Sequence, residues 1–152
     1  MSDSTTRVAD VLLRAMGGRT VMLRMPAPAV PADPTEQLGI ATPLFQDLPL
    51  APVVYRKARA TITADATSKL SSGEIKSELL VSASAIESIA GSLACASASV
   101  LFANAFGIVA SSCADSDSDA ELLEIVSASA EEAFGQPYVY RLVLRALQAQ
   151  VT

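Results

Sequence analysis

The side chains that do most protein chemistry are scarce in this 152-residue chain, and the commonest of them is missing, because it has no histidine. That absence removes the usual general base, the commonest zinc ligand and every nucleophile pair built on imidazole. Two cysteines remain, Cys95 and Cys113. Cys95 follows Leu93-Ala94 at the end of a helical pattern and reads as a buried structural thiol. Cys113 stands beside a run of aspartates, which disfavours the thiolate that a nucleophile needs. The polar, acidic start Met1-Ser2-Asp3-Ser4 shows no basic-then-apolar export pattern, so both thiols are expected to be free in a reducing compartment.

Metal and phosphate chemistry are as thinly supplied. Asp115, Asp117 and Asp119 alternate like the opening of a calcium loop. Such a loop needs glycine at its sixth position and glutamate at its twelfth, where this chain has Ala120 and Val126. A solvated acidic hairpin loop and a weak calcium or magnesium site are the two readings. Gly17-Gly18-Arg19-Thr20 has a phosphate-loop flavour, but it follows a helical pattern and precedes a strand, the reverse of what that motif requires. Glu121/Glu124 and Glu131-Glu132 are acid pairs. With no tryptophan and 5% aromatic residues, however, a sugar platform beside them is hard to build. The chain is therefore read as a non-enzyme: no catalytic or cofactor-binding residue is assigned and no cofactor is expected.

Charge narrows the partners. Net charge is −5, and the densest basic stretch is Arg56-Lys57-Ala58-Arg59. Binding driven by phosphate neutralisation needs a larger basic footprint. Arg56, Arg59, Arg141 and Arg145 place positive charge on two predicted strands. They form either a solvent-facing sheet surface or a subunit interface, where they would meet the Glu131-Glu132 or 115–119 loops of a neighbour. The apolar fraction is 51%, much of it alanine, with no uncharged apolar run long enough to cross a bilayer.

The elements that would carry these residues follow from periodicity. Val8, Val11, Leu12 and Ala15 recur at helical spacing, with Arg7, Asp10 and Arg14 outside the stripe, and Gly17-Gly18 stops the helix. A strand is predicted over 19–25, with Val21, Leu23 and Met25 on one face. Further strands are predicted over 52–62, 75–82, 107–111, 120–127 and 138–145. Between the third and fourth lies a pair of short helices. The first opens on the capping-box spacing Ser84-Ala85-Ile86-Glu87, and the second covers 97–106. Strands joined by short turns with the helices inserted as a block indicate α+β. The expectation is a single domain with a mostly antiparallel sheet or small barrel of five to six strands, an N-terminal helix and an inserted helix pair.

Seven of the eight prolines fall in residues 26–52. Proline removes a backbone donor and disfavours helix before it, so this stretch is predicted to be neither helix nor central strand. It is too apolar for a linker, since it carries Val30, Leu38, Ile40, Leu44, Phe45 and Leu48. It reads as an extended apolar arm that buries itself against a partner, or as an irregular loop lying over its own domain.

In layout the chain resembles the small neck proteins of tailed bacteriophages, the head-closure or head–tail connector family. The resemblance spans residues 50–147. It is carried by "ELLVSASAIESIAGSL" leading into the helix pair and by "AELLEIVSASAEEAFGQPYVYRLVLRA", which is similar to the closing strand pair of such barrels. The acidic loop 113–119 is longer than the tight hairpin of that pattern. The resemblance implies a structural virion protein, present in the host bacterial cytoplasm during assembly. Copies would form a six- or twelvefold ring between the portal or adaptor at the capsid vertex and the tail. DNA would pass without specific binding, and no membrane would be involved. The arm 26–52 would then lie across a neighbouring subunit. A tail, tail-terminator or baseplate component, or a cytoplasmic bacterial binding module, are the alternatives.

Overall fold

The computed structural model describes residues 2–28, 44–57, 76–111 and 120–146. Along the chain these form helix α1 (Ser2–Ala15), strands β1 (Arg19–Pro26), β2 (Phe45–Lys57) and β3 (Lys76–Ser82), helices α2 (Ala83–Ser92) and α3 (Ala98–Asn104), and strands β4 (Gly107–Ser111), β5 (Ala120–Ala133) and β6 (Gln136–Ala146). The six strands close into an antiparallel barrel in the order β1-β2-β3-β6-β5-β4, the short β4 sealing it against β1. The fold is α+β, with the N-terminal helix and the inserted helix pair in place.

Inward residues alternate as the sequence predicts. Val21, Leu23 and Met25 of β1, Leu79 and Val81 of β3, and Leu142 and Leu144 of β6 meet Leu50, Val53, Ile108 and Leu123 in one core. Ile86 and Ile89 of α2 and Leu101 and Phe102 of α3 cap that core. A six-stranded barrel is filled by such side chains, so its axis is closed to anything the size of a polymer.

Two parts depart from expectation. Residues 45–52 are not an arm but the first half of β2, paired with β1 from Pro26↔Phe45 to Val21↔Leu50. Pairing with β3 begins only at Val53. Among the described residues, the first half of β2 thus has one neighbouring strand, and every second N–H points away from it, which is where Pro49 can sit. Pro52 falls where the register shifts between Arg19 and Val21. A bulge of this kind tolerates a missing donor. The other departure is β5, expected to end near Ser127 with a loop through Glu131 and Glu132. It continues to Ala133 and forms a long hairpin with β6. Among the described residues, β5 beyond Leu123 has β6 as its one neighbouring strand, and residues 126–130 are all exposed. β6 stays paired with β3 as far as Val139, so only the hairpin tip, residues 132–138, runs past the paired strands of the barrel.

Helix starts are set by tertiary contacts. The cap of α2 is Ser82, two residues before the predicted Ser84, and its hydroxyl accepts from the Ser84 N–H at 3.2 Å. Ser82 is fully buried as the last residue of β3, and its hydroxyl also donates to Asp10 of α1. Ser84 donates to the other Asp10 oxygen at 2.8 Å. One carboxylate thus fastens α1 to the β3–α2 junction. The helix α3 is capped by Ser97, the first residue of the predicted helix, but it ends at Asn104 because Ala105 is extended and the Phe106 N–H donates to the Arg24 carbonyl of β1 at 2.8 Å.

Candidate interaction surface

Arg24, Arg141 and Arg145 on the strands are each answered within the chain. Arg24 faces Asp47 directly across β1 and β2 and holds it with two parallel bonds of 2.8 Å. These bonds outweigh the partial loss of hydration, hold the Asp47 carboxyl below its usual range and raise the Arg24 guanidinium. Arg145 sits opposite Glu124, its Nε donating at 3.1 Å. Arg141 reaches Glu131 diagonally along the β5–β6 hairpin at 3.2 Å. Glu131, which the interface reading would have drawn from a neighbour, meets Arg141 within the same chain because β5 runs on past Ser127. Arg56 is exposed on β2. Arg59 and the candidate cation ligands Asp115, Asp117 and Asp119 lie outside the described residues, as do Val30, Leu38 and Ile40.

Buried polar groups are few and satisfied. The Tyr55 hydroxyl donates to the buried Ser77 at 2.8 Å. Burial among apolar neighbours raises the Tyr140 phenol, with smaller contributions from Glu87 and Glu132. Its ring meets Phe102 edge-on at 5.6 Å. Cys95 is a half-buried free thiol packed against the core. No group of three or more metal-ligating side chains comes together among the described residues. A cleft of about 500 Å³ opens between residues 4–6 of α1 and the β5–β6 hairpin, and its walls are Ser, Thr, Ala, Phe, Gln, Pro and Tyr side chains. None of these is a carboxylate, a cation or a thiol.

What the surface does offer is apolar. In α1 the buried residues are Ala9 and Leu13, with Asp10 tied to the serines beside them. At 3.6 residues per turn, the stripe of Val8, Val11, Leu12 and Ala15 lies roughly 130° round the helix from that buried line. Val8, Val11, Leu12 and Met16 are accordingly 53–65% exposed. An amphipathic helix normally turns its apolar stripe to the core. Here a polar anchor and two small contacts hold it the other way round.

At the tip of the β5–β6 hairpin stands Phe134, 102% exposed. Phe134 and Gly135 have φ of +54° and +76°, the signature of a two-residue type I′ turn between the paired Ala133 and Gln136. Such turns favour Asn, Asp and Gly. A phenylalanine there meets backbone strain and gains no burial within its own chain.

A third apolar area lies where β1 ends and β2 begins. Of the arm residues singled out from sequence, Leu44 and Phe45 are exposed there, and Phe45 stacks on Phe106 with ring centroids 4.7 Å apart. Leu48 is half-buried against the core. The α1 stripe is visible in the sequence as a periodicity, but its outward orientation is not. Phe134 could have been found from sequence as an aromatic next to glycine in a hairpin turn.

No protein-family model, no curated protein and no solved structure matches the chain.

Proposed function

We propose that this chain is a structural protein that works by assembling with copies of itself into a ring, in the setting of a tailed-bacteriophage neck. The observation that carries the self-assembly reading is the α1 stripe. A helix whose apolar residues are held away from the core by an Asp10–serine anchor presents a surface that no described residue of its own chain buries, and a second copy would. The exposed Phe134 supports the same conclusion. A closed antiparallel barrel with an N-terminal helix and an inserted helix pair is the architecture that the resemblance to head-closure proteins implies.

The filled core bears on how DNA could pass. A conduit cannot run through one barrel and would have to lie between several copies. A surface of net charge −5 would hold DNA weakly there, since it releases few counterions from the phosphates. Electron microscopy of the purified protein tests the reading: rings of one symmetry around an open channel are expected, and a uniform population of single barrels contradicts it. The setting is tested separately by the neighbouring genes. Portal, capsid and tail-tube genes are expected beside it, and metabolic genes would point to a cytoplasmic binding module instead.

A further inference from the structure

We infer that successive copies join by a head-to-tail contact in which Phe134 of one copy seats on the α1 stripe of the next. This rests on the reading of the chain as a self-assembling protein and names the surfaces that do it. The two halves of the contact are on the same chain and complement each other. The tip is an aromatic side chain at the turn of the β5–β6 hairpin, just past the last β3–β6 pair, with the exposed Glu132 nearby. The seat is an exposed strip formed by Val8, Val11 and Leu12, bordered along one edge by Arg7 and Arg14. Glu132 and Arg14 have no ion-pair partner among the described residues. Seating the ring on the strip brings acid toward base while both apolar surfaces leave water.

The same charges set the choice of occupant. An anionic membrane surface would repel a tip carrying Glu132, whose charge no described cation pairs. A second copy offers what the tip lacks, an apolar strip with basic flanks. Because the tip and the strip are different surfaces, the contact is heterologous and propagates from copy to copy until rotation closes it. A buried aromatic anchor of this kind dominates an interface, and its removal weakens association by roughly thirtyfold or more.

The test uses Phe134→Ser, which removes the tip, and Leu12→Glu, which spoils the strip. Both positions are exposed, so far-UV circular dichroism should match the wild type. Phe134→Asn and Val8→Glu provide a second pair should either of the first fold poorly. In sedimentation equilibrium, each variant alone is expected to be monomeric at concentrations where the wild type is assembled. Mixed one to one, they should form a species of twice the chain mass and stop there, because one intact tip meets one intact strip. Assembly of either variant as in the wild type overturns this contact and leaves the self-assembly reading standing. Two monomeric variants that stay monomeric when mixed also overturn it, since the tip then does not seat on α1. A wild type that is monomeric throughout overturns the self-assembly reading, and this contact with it.

Discussion

Phe134 holds a left-handed backbone at the tip of a hairpin and buries nothing in its own chain. For a bulky residue that conformation costs on the order of 1 kcal/mol, whereas asparagine adopts it readily. Replacing Phe134 with Asn should therefore stabilise the isolated monomer by about 1 kcal/mol while abolishing assembly. Urea unfolding at dilute concentration checks the first half, and a destabilised variant would mean that the ring contacts its own chain. Arg24 and Asp47 illustrate the opposite case, a side-chain pair with a purely internal use. Because the folded Asp47 carboxyl lies below its unfolded value, its contribution is complete above roughly pH 4 and is lost as pH falls through the folded value. The raised Arg24 loses its proton only at pH values far above this window. Both side chains are about one-third exposed, so Asp47→Asn should cost only about 0.5–1 kcal/mol at pH 7. That cost should shrink at a second, acidic pH below the ordinary carboxylate range. Unfolding curves at the two pH values decide it, and a loss that persists in acid would assign the effect to packing.

At the scale of elements, the weakest-looking piece is the one that closes the barrel. The five-residue β4 runs so close to β5 that a Cβ on Gly107 would lie 2.5 Å from the Leu123 carbonyl oxygen. Gly107→Ala must push the two backbones apart, and a cost of about 1–3 kcal/mol is expected in chemical denaturation. A loss below about 0.5 kcal/mol would mean that the seam gives freely. The strands that sequence reads best are those with one wet and one dry face. β1, β3 and β6 alternate cleanly, and their inward residues are the ones observed. Reading fails where pairing and not alternation decides. Pro49 and Pro52 argue against a strand, yet β2 carries both because its first half is paired on one side and a bulge takes the second proline. Small residues hide β5 beyond Ser127, since the Ser-Ala alternation has no apolar face to detect, and only pairing with β6 shows it to be a strand. The stripe of α1 is legible as a period, but which side faces the barrel depends on Asp10 meeting Ser82 and Ser84, more than 70 residues away in sequence.

At the scale of the molecule, side chains fill the barrel, Arg24, Arg141 and Arg145 are paired within the chain, and the apolar residues of α1 and the hairpin tip stay exposed; the proposed self-assembly rests on that exposed surface. The sequence shows no histidine and only broken metal and phosphate patterns. It cannot convey which apolar residues remain after the core is built, because that requires the orientation of α1 and the length of the hairpin. Native mass spectrometry across a hundredfold range of concentration reads self-assembly without reference to any one contact. One closed oligomer of fixed stoichiometry, greater than two, is expected to persist on dilution. A single 15.7 kDa species at every concentration would contradict it.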